Sequence, residues 1–374
     1  MESNIQQKNM IRNEMNNKKR YDNIDLLKFI AIFMVITLHV PLYFTDFIKT
    51  QNIENFIQFS FRLISEGVLI FIFVNGFLII NKPFDLKKHI KKVIKVFFIM
   101  IFWGIINVIV FSLIRNETLS INKIIKETLN LKFTHLYSGH LWFLQNLISL
   151  YIFFPIIKIV HDSNKKVYNY LAITMIFFSV GINFLNSICQ LICKLSNIEN
   201  LSAMILNNFN KINPYINNMF LCYFIIGGIV FEKKNIFENK KNVFYAVMLG
   251  LISWIIAIAF GYTMSKLNNK TYTENFNYNQ IYLIITIIGL YALSTLYINK
   301  NNNLLNRFIT SVGKNTMGIY LIHCIILEIL KKYINIWNAS FFQRFVISFD
   351  VLLISWLISI MIMKIPKVNK ILKI

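Results

Sequence analysis

Charge is scarce in this chain of 374 residues: 15% of it is Asp, Glu, Lys or Arg, where soluble proteins carry about a quarter. Acidic residues are scarcer still, 17 against 39 Lys and Arg, leaving a formal net charge of +22. Hydrophobic residues make up 56% and the mean hydropathy is +0.54. That balance excludes ordinary soluble domains and points to an all-α, polytopic membrane protein. The positive excess does not mark a nucleic-acid surface, because the basic residues sit in short blocks between apolar runs, without interleaved aromatics.

Cysteine is equally sparse. Cys189, Cys193, Cys222 and Cys324 lie in or beside apolar segments, and none belongs to a CxxC pair or to a Cys/His cluster with metal-ligand spacing. Cys189 and Cys193 stand one helical turn apart, which is poor disulfide geometry. All four read as small packing residues, and no metal is expected. No internal repeat marks an inverted-repeat transporter.

What is present is a series of ten apolar segments: 24–44, 64–80, 94–114, 140–160, 168–190, 216–232, 242–263, 279–298, 316–334 and 343–363. The second has an alternative start nearer Phe56. A polar tail, 1–20, precedes the ten-span unit at 21–365, and a basic tail, 366–374, follows it. The stretch 300–315 reads as a short interfacial piece, and INKIIKETLNL in the 115–139 loop as a helix along the membrane surface. Alternate loops, both tails included, hold about 25 Lys and Arg against about 13 in the opposite set. The richer side is expected to be cytoplasmic, with both termini inside.

The first segment, YDNIDLLKFIAIFMVITLHVPLYF, carries Asp25, Lys28 and His39. Lys28 and His39 are eleven residues apart, about three turns plus about 20°, so they share a face at about 16 Å separation. Ionisable groups within a span are costly and mark functional sites by default. On the first segment alone a snorkelling lysine and a packed histidine explain the pair equally well. After the second segment, where Asn75-Gly76 offers a close helix approach and an amide, Lys88, Lys92 and Lys95 form a cytoplasmic row with Lys91 beside them. It serves either as a topology signal or as a mouth for a phosphate-bearing ligand. His140, Trp142 and Gln145 open the fourth segment at the outer interface, and the ninth holds His323 and Glu328, the latter protonated or paired. His89, His135 and His161 fall in loops and are expected to be solvated.

Four stretches together resemble the membrane-bound acyltransferase 3 family: IDLLKFIAIFMVITLH (24–39), VLIFIFVNGFLI (68–79) with KKVIKV after it, GHLWFLQNLISLYIFFP (139–155) and GIYLIH (318–323). The family's basic residue, ten positions and then His falls on Lys28 and His39, with Lys where most members have Arg. Its Ser-Gly reads Asn75-Gly76 here, its arginine pair aligns with Lys92 and Lys95, and the proline expected soon after is absent. The resemblance implies an O-acetyltransferase of cell-surface polysaccharide in a bacterial plasma membrane. Acetyl-CoA would be the acyl donor, and a surface glycan or lipid-linked sugar the acceptor. It casts Lys28 with His39 as the catalytic pair, and Lys28, Lys88, Lys92 and Lys95 as phosphate ligands. His39 becomes general base or covalent acyl carrier, two mechanisms the sequence leaves open. Asn75, His140, Trp142, His323 and Glu328 are the substrate-binding or orienting candidates. The alternative is a carrier or exporter of polysaccharide, whose intramembrane His and Glu would line a substrate path.

Overall fold

Helix α1, Asp22–His39, packs against four other helices, α4, α12, α13 and α14 of the series below. Its Leu27, Ala31, Ile32 and Ile36 are fully enclosed. The computed structural model describes residues 21–40, 46–129, 139–196, 211–212, 218–273, 276–297, 303–336, 339–366 and 368–372. After α1 come two short helices, α2 (Phe47–Thr50) and α3 (Ile53–Arg62), then α4 (Gly67–Ile79), α5 (Leu86–Ile114) and α6 (Ile121–Leu129). A 3₁₀ turn, Gly139–Leu141, leads into α7 (Trp142–Ser163). The rest are α8 (Lys165–Ile176), α9 (Ile182–Ser196), α10 (Met219–Glu232), α11 (Lys240–Leu267), α12 (Ile281–Thr295), α13 (Leu304–Tyr333) and α14 (Phe341–Lys364). No strand occurs among the described residues.

Among the described residues, seven helical stretches are long and apolar enough to cross a membrane: α3 with α4, α5, the 3₁₀ turn with α7, α8 through α9, α11, α13 and α14. Helices α10 and α12 are apolar but only 14 and 15 residues long. Helix α1 has 18 residues, and Asp22, Asp25 and Lys28 dilute its apolar content. The chain is an all-α polytopic membrane protein, and the described part of each apolar segment lies mostly in these helices.

Asparagine begins many of them. Asn52, Asn164, Asn218, Asn239 and Asn303 each accept a backbone N–H of the first turn, which satisfies a donor the helix cannot pair internally. Asp85 does the same for α5, and Ser340 with Gln343 forms a capping box on α14.

Several expectations change. The 300–315 stretch is not a separate piece: from Leu304 on it forms the first turns of α13, which runs unbroken to Tyr333, because the Asn303 cap starts the helix and no proline follows. The second apolar segment is preceded by α3, with a break at residues 63–66. The 115–139 loop does contain a helix, α6, whose Ile124 packs with α5 and α13 while Ile121 and Ile125 stay exposed. Residues 130–138 and most of the 194–215 loop lie outside the described residues.

Helices α4 and α10 meet backbone to backbone. A Cβ on Gly76 would overlap the Phe224 carbonyl, and one on Gly227 would overlap the Phe73 carbonyl. The close approach read from Asn75-Gly76 is thus made with α10.

Helix α7 holds Pro155 in its interior. Proline has no N–H, so the carbonyl four residues earlier, on Tyr151, loses its helical partner. His89 Nε2 lies 2.7 Å from that oxygen and supplies the missing donor. Far from being a solvated loop residue, His89 sits in the first turn of α5, half-buried against Phe84, Tyr151 and Phe154. His161 is likewise placed within α7, bonded to Asp162 and Glu232 at 2.8 and 2.7 Å. His135 falls outside the described residues.

Candidate active site

Three histidines from distant parts of the chain converge. His39 closes α1, His140 lies in the 3₁₀ turn before α7, and His323 lies within α13. The ring centroid of His323 is 5.1 Å from that of His39 and 5.4 Å from that of His140, and His39 and His140 are 6.4 Å apart. His323 is 0% exposed and His140 4%, while His39 is half-buried.

Neighbouring backbone orients the rings. His323 Nδ1 lies 2.6 Å from the Tyr320 carbonyl. That contact requires the proton on Nδ1, so Nε2 is the acceptor nitrogen. It faces Cys324 Sγ at 3.3 Å. Tyr320 reaches across to donate its hydroxyl to the His140 carbonyl, tying α13 to the 3₁₀ turn. His140 Nε2 is buried and has no hydrogen-bond partner. An imidazole nitrogen kept dry and unpaired is costly unless a substrate proton comes to it.

Ligand atoms of His39, His323 and Cys324 lie within 4.8 Å of one another, a grouping able to hold a metal ion. The sequence spacing did not announce it, because the cluster forms only when α1 meets α13. The imidazole–thiol donor set suits a soft divalent ion.

Lys28 and Lys92 stand away from the imidazoles, toward the other ends of α1 and α7. Lys28 lies on α1 eleven residues before His39, about 16 Å along the axis. Lys92 stands over the ring of Tyr151 with its Nζ 4.6 Å from the centroid. Tyr151 is itself eleven residues after His140, again about 16 Å. Two helices therefore carry the same measure: an imidazole at one end and a cation position about 16 Å away. Lys95 is half-buried one turn beyond Lys92. Lys88 points outward with its side chain 85% exposed, 3.3 Å from Asp85.

Other candidates go elsewhere. Asn75 Oδ1 accepts from the Tyr151 hydroxyl at 2.8 Å, and its Nδ2 donates to the Phe71 carbonyl at 2.9 Å. Its amide thus ties α4 to α7 at the lysine end and is not among the imidazoles. Trp142 stacks on Tyr278 at 5.7 Å and touches Phe220 at 5.9 Å, so it is a packed wall more than an interfacial anchor. Glu328 pairs with Arg115 at 2.6 Å and Lys331 at 3.3 Å. Pairing, not protonation, resolves its cost there.

Sequence reasoning passed over Cys324, Tyr320 and Tyr151, and over Glu66. Glu66 is buried at the break before α4, paired with Arg62, with its Oε2 unpartnered. Its signal was available: a carboxylate two residues into an apolar run. The other three gave none, since a Cys or Tyr in an apolar helix reads as packing.

No curated relative and no solved structure matches the chain. A family description, "Acyltransferase domain" of the acyltransferase 3 family, matches residues 21–360, nearly the full length. A polytopic helical bundle with buried imidazoles inside it is the setting such chemistry needs, and the chain belongs to the acyltransferase 3 family of membrane acyltransferases.

Proposed function

We propose that this protein transfers an acetyl group, or an acyl group of similar size, from acyl-CoA to a hydroxyl of a cell-surface carbohydrate or its lipid-linked precursor. The observation that carries the reading is the repeated measure on α1 and α7, three imidazoles at one end and Lys28 and Lys92 about 16 Å away. A pantetheine arm of roughly 20 Å spans that distance by chain-length estimate. The nucleotide phosphates stay with Lys28, Lys92 and Lys95, and the thioester reaches the histidines.

The excess of Lys and Arg in the loops of the lysine end supports a cytoplasmic position for that end, where acyl-CoA is made, and the reading takes the membrane to be the cell membrane. At the imidazole end a histidine removes the proton from the attacking hydroxyl. Oxygen bonds to the acyl carbon, the C–S bond breaks, and the sulfur of CoA leaves with a proton returned by the imidazolium. His39 is assigned this role, because it shares the face and helix of Lys28. His323 and His140 flank it and orient the incoming hydroxyl. An imidazole suits the task because its ordinary pKa is near neutral pH.

The test compares His39→Ala with the parent at equal membrane insertion, using labelled acetyl-CoA and scoring label on surface glycan. Loss of labelling is expected. A variant that labels glycan as well as the parent does removes His39 from the mechanism.

A further inference from the structure

Helices α7 and α10, the α8–α9 rod and the chain before α12 line a half-open cavity of about 320 Å³, with no imidazole among its described lining residues. Its volume falls at the lower end of the range for small-molecule sites. Four of its lining residues are asparagines: Asn146, Asn183, Asn218 and Asn279, with Phe178 and Phe220 beside them. Four side-chain amides around one space in a chain this apolar require an explanation, because an amide without partners is costly away from water.

Their hydrogen bonds show what they leave open. Asn146 donates one N–H to the Trp142 carbonyl at 3.0 Å, and Asn183 donates one to the Ser179 carbonyl at 2.9 Å. Both amides are thereby fixed on their own helices with the carbonyl oxygen uncommitted. Asn218 Oδ1 caps α10 through Leu221 N, which leaves its NH₂ available. Asn279 Oδ1 is buried and has no partner at all. The cavity thus offers the carbonyl oxygens of Asn146 and Asn183 and the amide group of Asn218, with Asn279 and two aromatic rings beside them, and none of its described lining residues is charged.

The rod that forms one wall is locally π-helical. Residues Phe177–Gly181 form a π turn between α8 and α9, and Phe178 and Ser179 of that turn line the cavity. A π turn loses regular pairing and persists mostly where function requires it. Here it changes the rotational phase of the rod, so that Phe178, Ser179 and Asn183 come to one side.

We infer that this cavity is the docking subsite for a neutral sugar ring of the acceptor glycan. Uncommitted carbonyl oxygens take hydroxyl protons, the free amide group gives to a hydroxyl or N-acetyl oxygen, and the aromatic faces cover the apolar side of the ring. Because none of the described wall residues is charged, the site selects against uronic acids and phosphosugars, which would bring an uncompensated charge into it. The cavity also lies close to the chemistry. Phe220 lines it and touches Trp142 at 5.9 Å, and Trp142 stands two residues beyond His140. One sugar held here would anchor the glycan while a neighbouring unit presents its hydroxyl to the imidazoles. This inference rests on the carbohydrate acceptor of the proposed function and adds where that acceptor is held and which class it belongs to.

The experiment uses the full chain in detergent micelles and saturation-transfer NMR with three probes: chitotetraose, maltotetraose and tetragalacturonic acid. At least one neutral probe should receive saturation and the acidic one should not. The signal should fall at least severalfold in Asn183→Ala/Asn279→Ala, while acetyl-CoA binding to the same sample shows that the variant is folded. His39→Ala should keep the sugar signal although it has lost acyl transfer, which separates failure of the subsite from failure of the catalytic assignment. No saturation of either neutral probe by the parent overturns the inference. So does an equal signal from the acidic probe, or a double variant that binds sugar as the parent does.

Discussion

His39 and His323 stand with their ring centroids 5.1 Å apart and tilted by 50°, although 284 residues separate them in the chain. Both rings can meet one reacting group at that distance. Removing the general base costs about 10²–10⁴ in rate, so His39→Ala should lower kcat by that much with little change in the KM for acyl-CoA. Tyr320→Phe should act indirectly. It removes the hydroxyl bond to the His140 carbonyl and loosens the 3₁₀ turn, so a kcat loss of about tenfold, or about 1.4 kcal/mol, is expected in steady-state assays.

The grouping of His39, His323 and Cys324 predicts inhibition by soft divalent ions. Zn²⁺ or Cd²⁺ bound there would occupy the imidazole lone pairs that the reaction needs. Acyl transfer should fall on titration with Zn²⁺ and recover with a chelator. Cys324→Ser should shift the inhibition to clearly higher metal concentration while leaving metal-free activity within about twofold, since a hydroxyl is a poorer ligand for a soft ion.

Within the lysine row the structure ranks the side chains. Lys92 and Lys95 are half-buried on α5, whereas Lys88 is mostly exposed and its partner is Asp85. Lys92→Gln with Lys95→Gln should raise the dissociation constant for CoA about 10–100-fold, the range of a lost charge-assisted contact. Lys88→Gln should change it by less than about threefold, as for an exposed ion pair. Direct binding of CoA to the purified protein checks both.

His89 and Pro155 should couple energetically. His89→Ala leaves the Tyr151 carbonyl without a donor and should cost about 1–3 kcal/mol. Pro155→Ala supplies a backbone N–H to the same oxygen, so adding it should recover part of that loss. A double-mutant cycle by thermal unfolding in detergent measures the coupling. Additive effects would mean that the histidine bond does not replace the helical one.

Gly76 and Gly227 admit no side chain, because each would place a Cβ on a carbonyl of the facing helix. Gly76→Leu and Gly227→Leu should push α4 and α10 apart and cost at least the 1–3 kcal/mol of an overpacked interface. The expected result is a sharply reduced yield of folded protein by size-exclusion chromatography, with Gly250→Ala, where nearby atoms lie at ordinary contact distance, as the tolerant control.

The helices were legible because burial in a membrane writes itself as long apolar runs, and the described part of each run lies mostly in a helix. His39 was legible for the converse reason: an ionisable group in such a run stands out. The same contrast flagged His140 and His323 one by one, but nothing local could say that they meet His39, since that depends on which helices pack together. Glu328 stood out equally and turned out to be held by Arg115, because a carboxylate's partner is invisible from its own segment. Helix breaks were harder. The π turn at Phe177–Gly181 has no composition of its own, and α13 looked broken at 300–315 only because its first turns are polar. His89 was misread as solvated because its partner is a carbonyl freed by a proline 66 residues away.

Helix α13 is one rod of 30 residues, about 45 Å long at the usual helical rise. Gly313, a third of the way along, sits directly against Asp25 of α1, and Glu328, nearer the far end, is gripped by Arg115, with His323 between them. A helix tied to its neighbours on both sides of a residue fixes that residue's backbone, so the His323 ring keeps only its own two side-chain torsions, and the Tyr320 carbonyl restrains those.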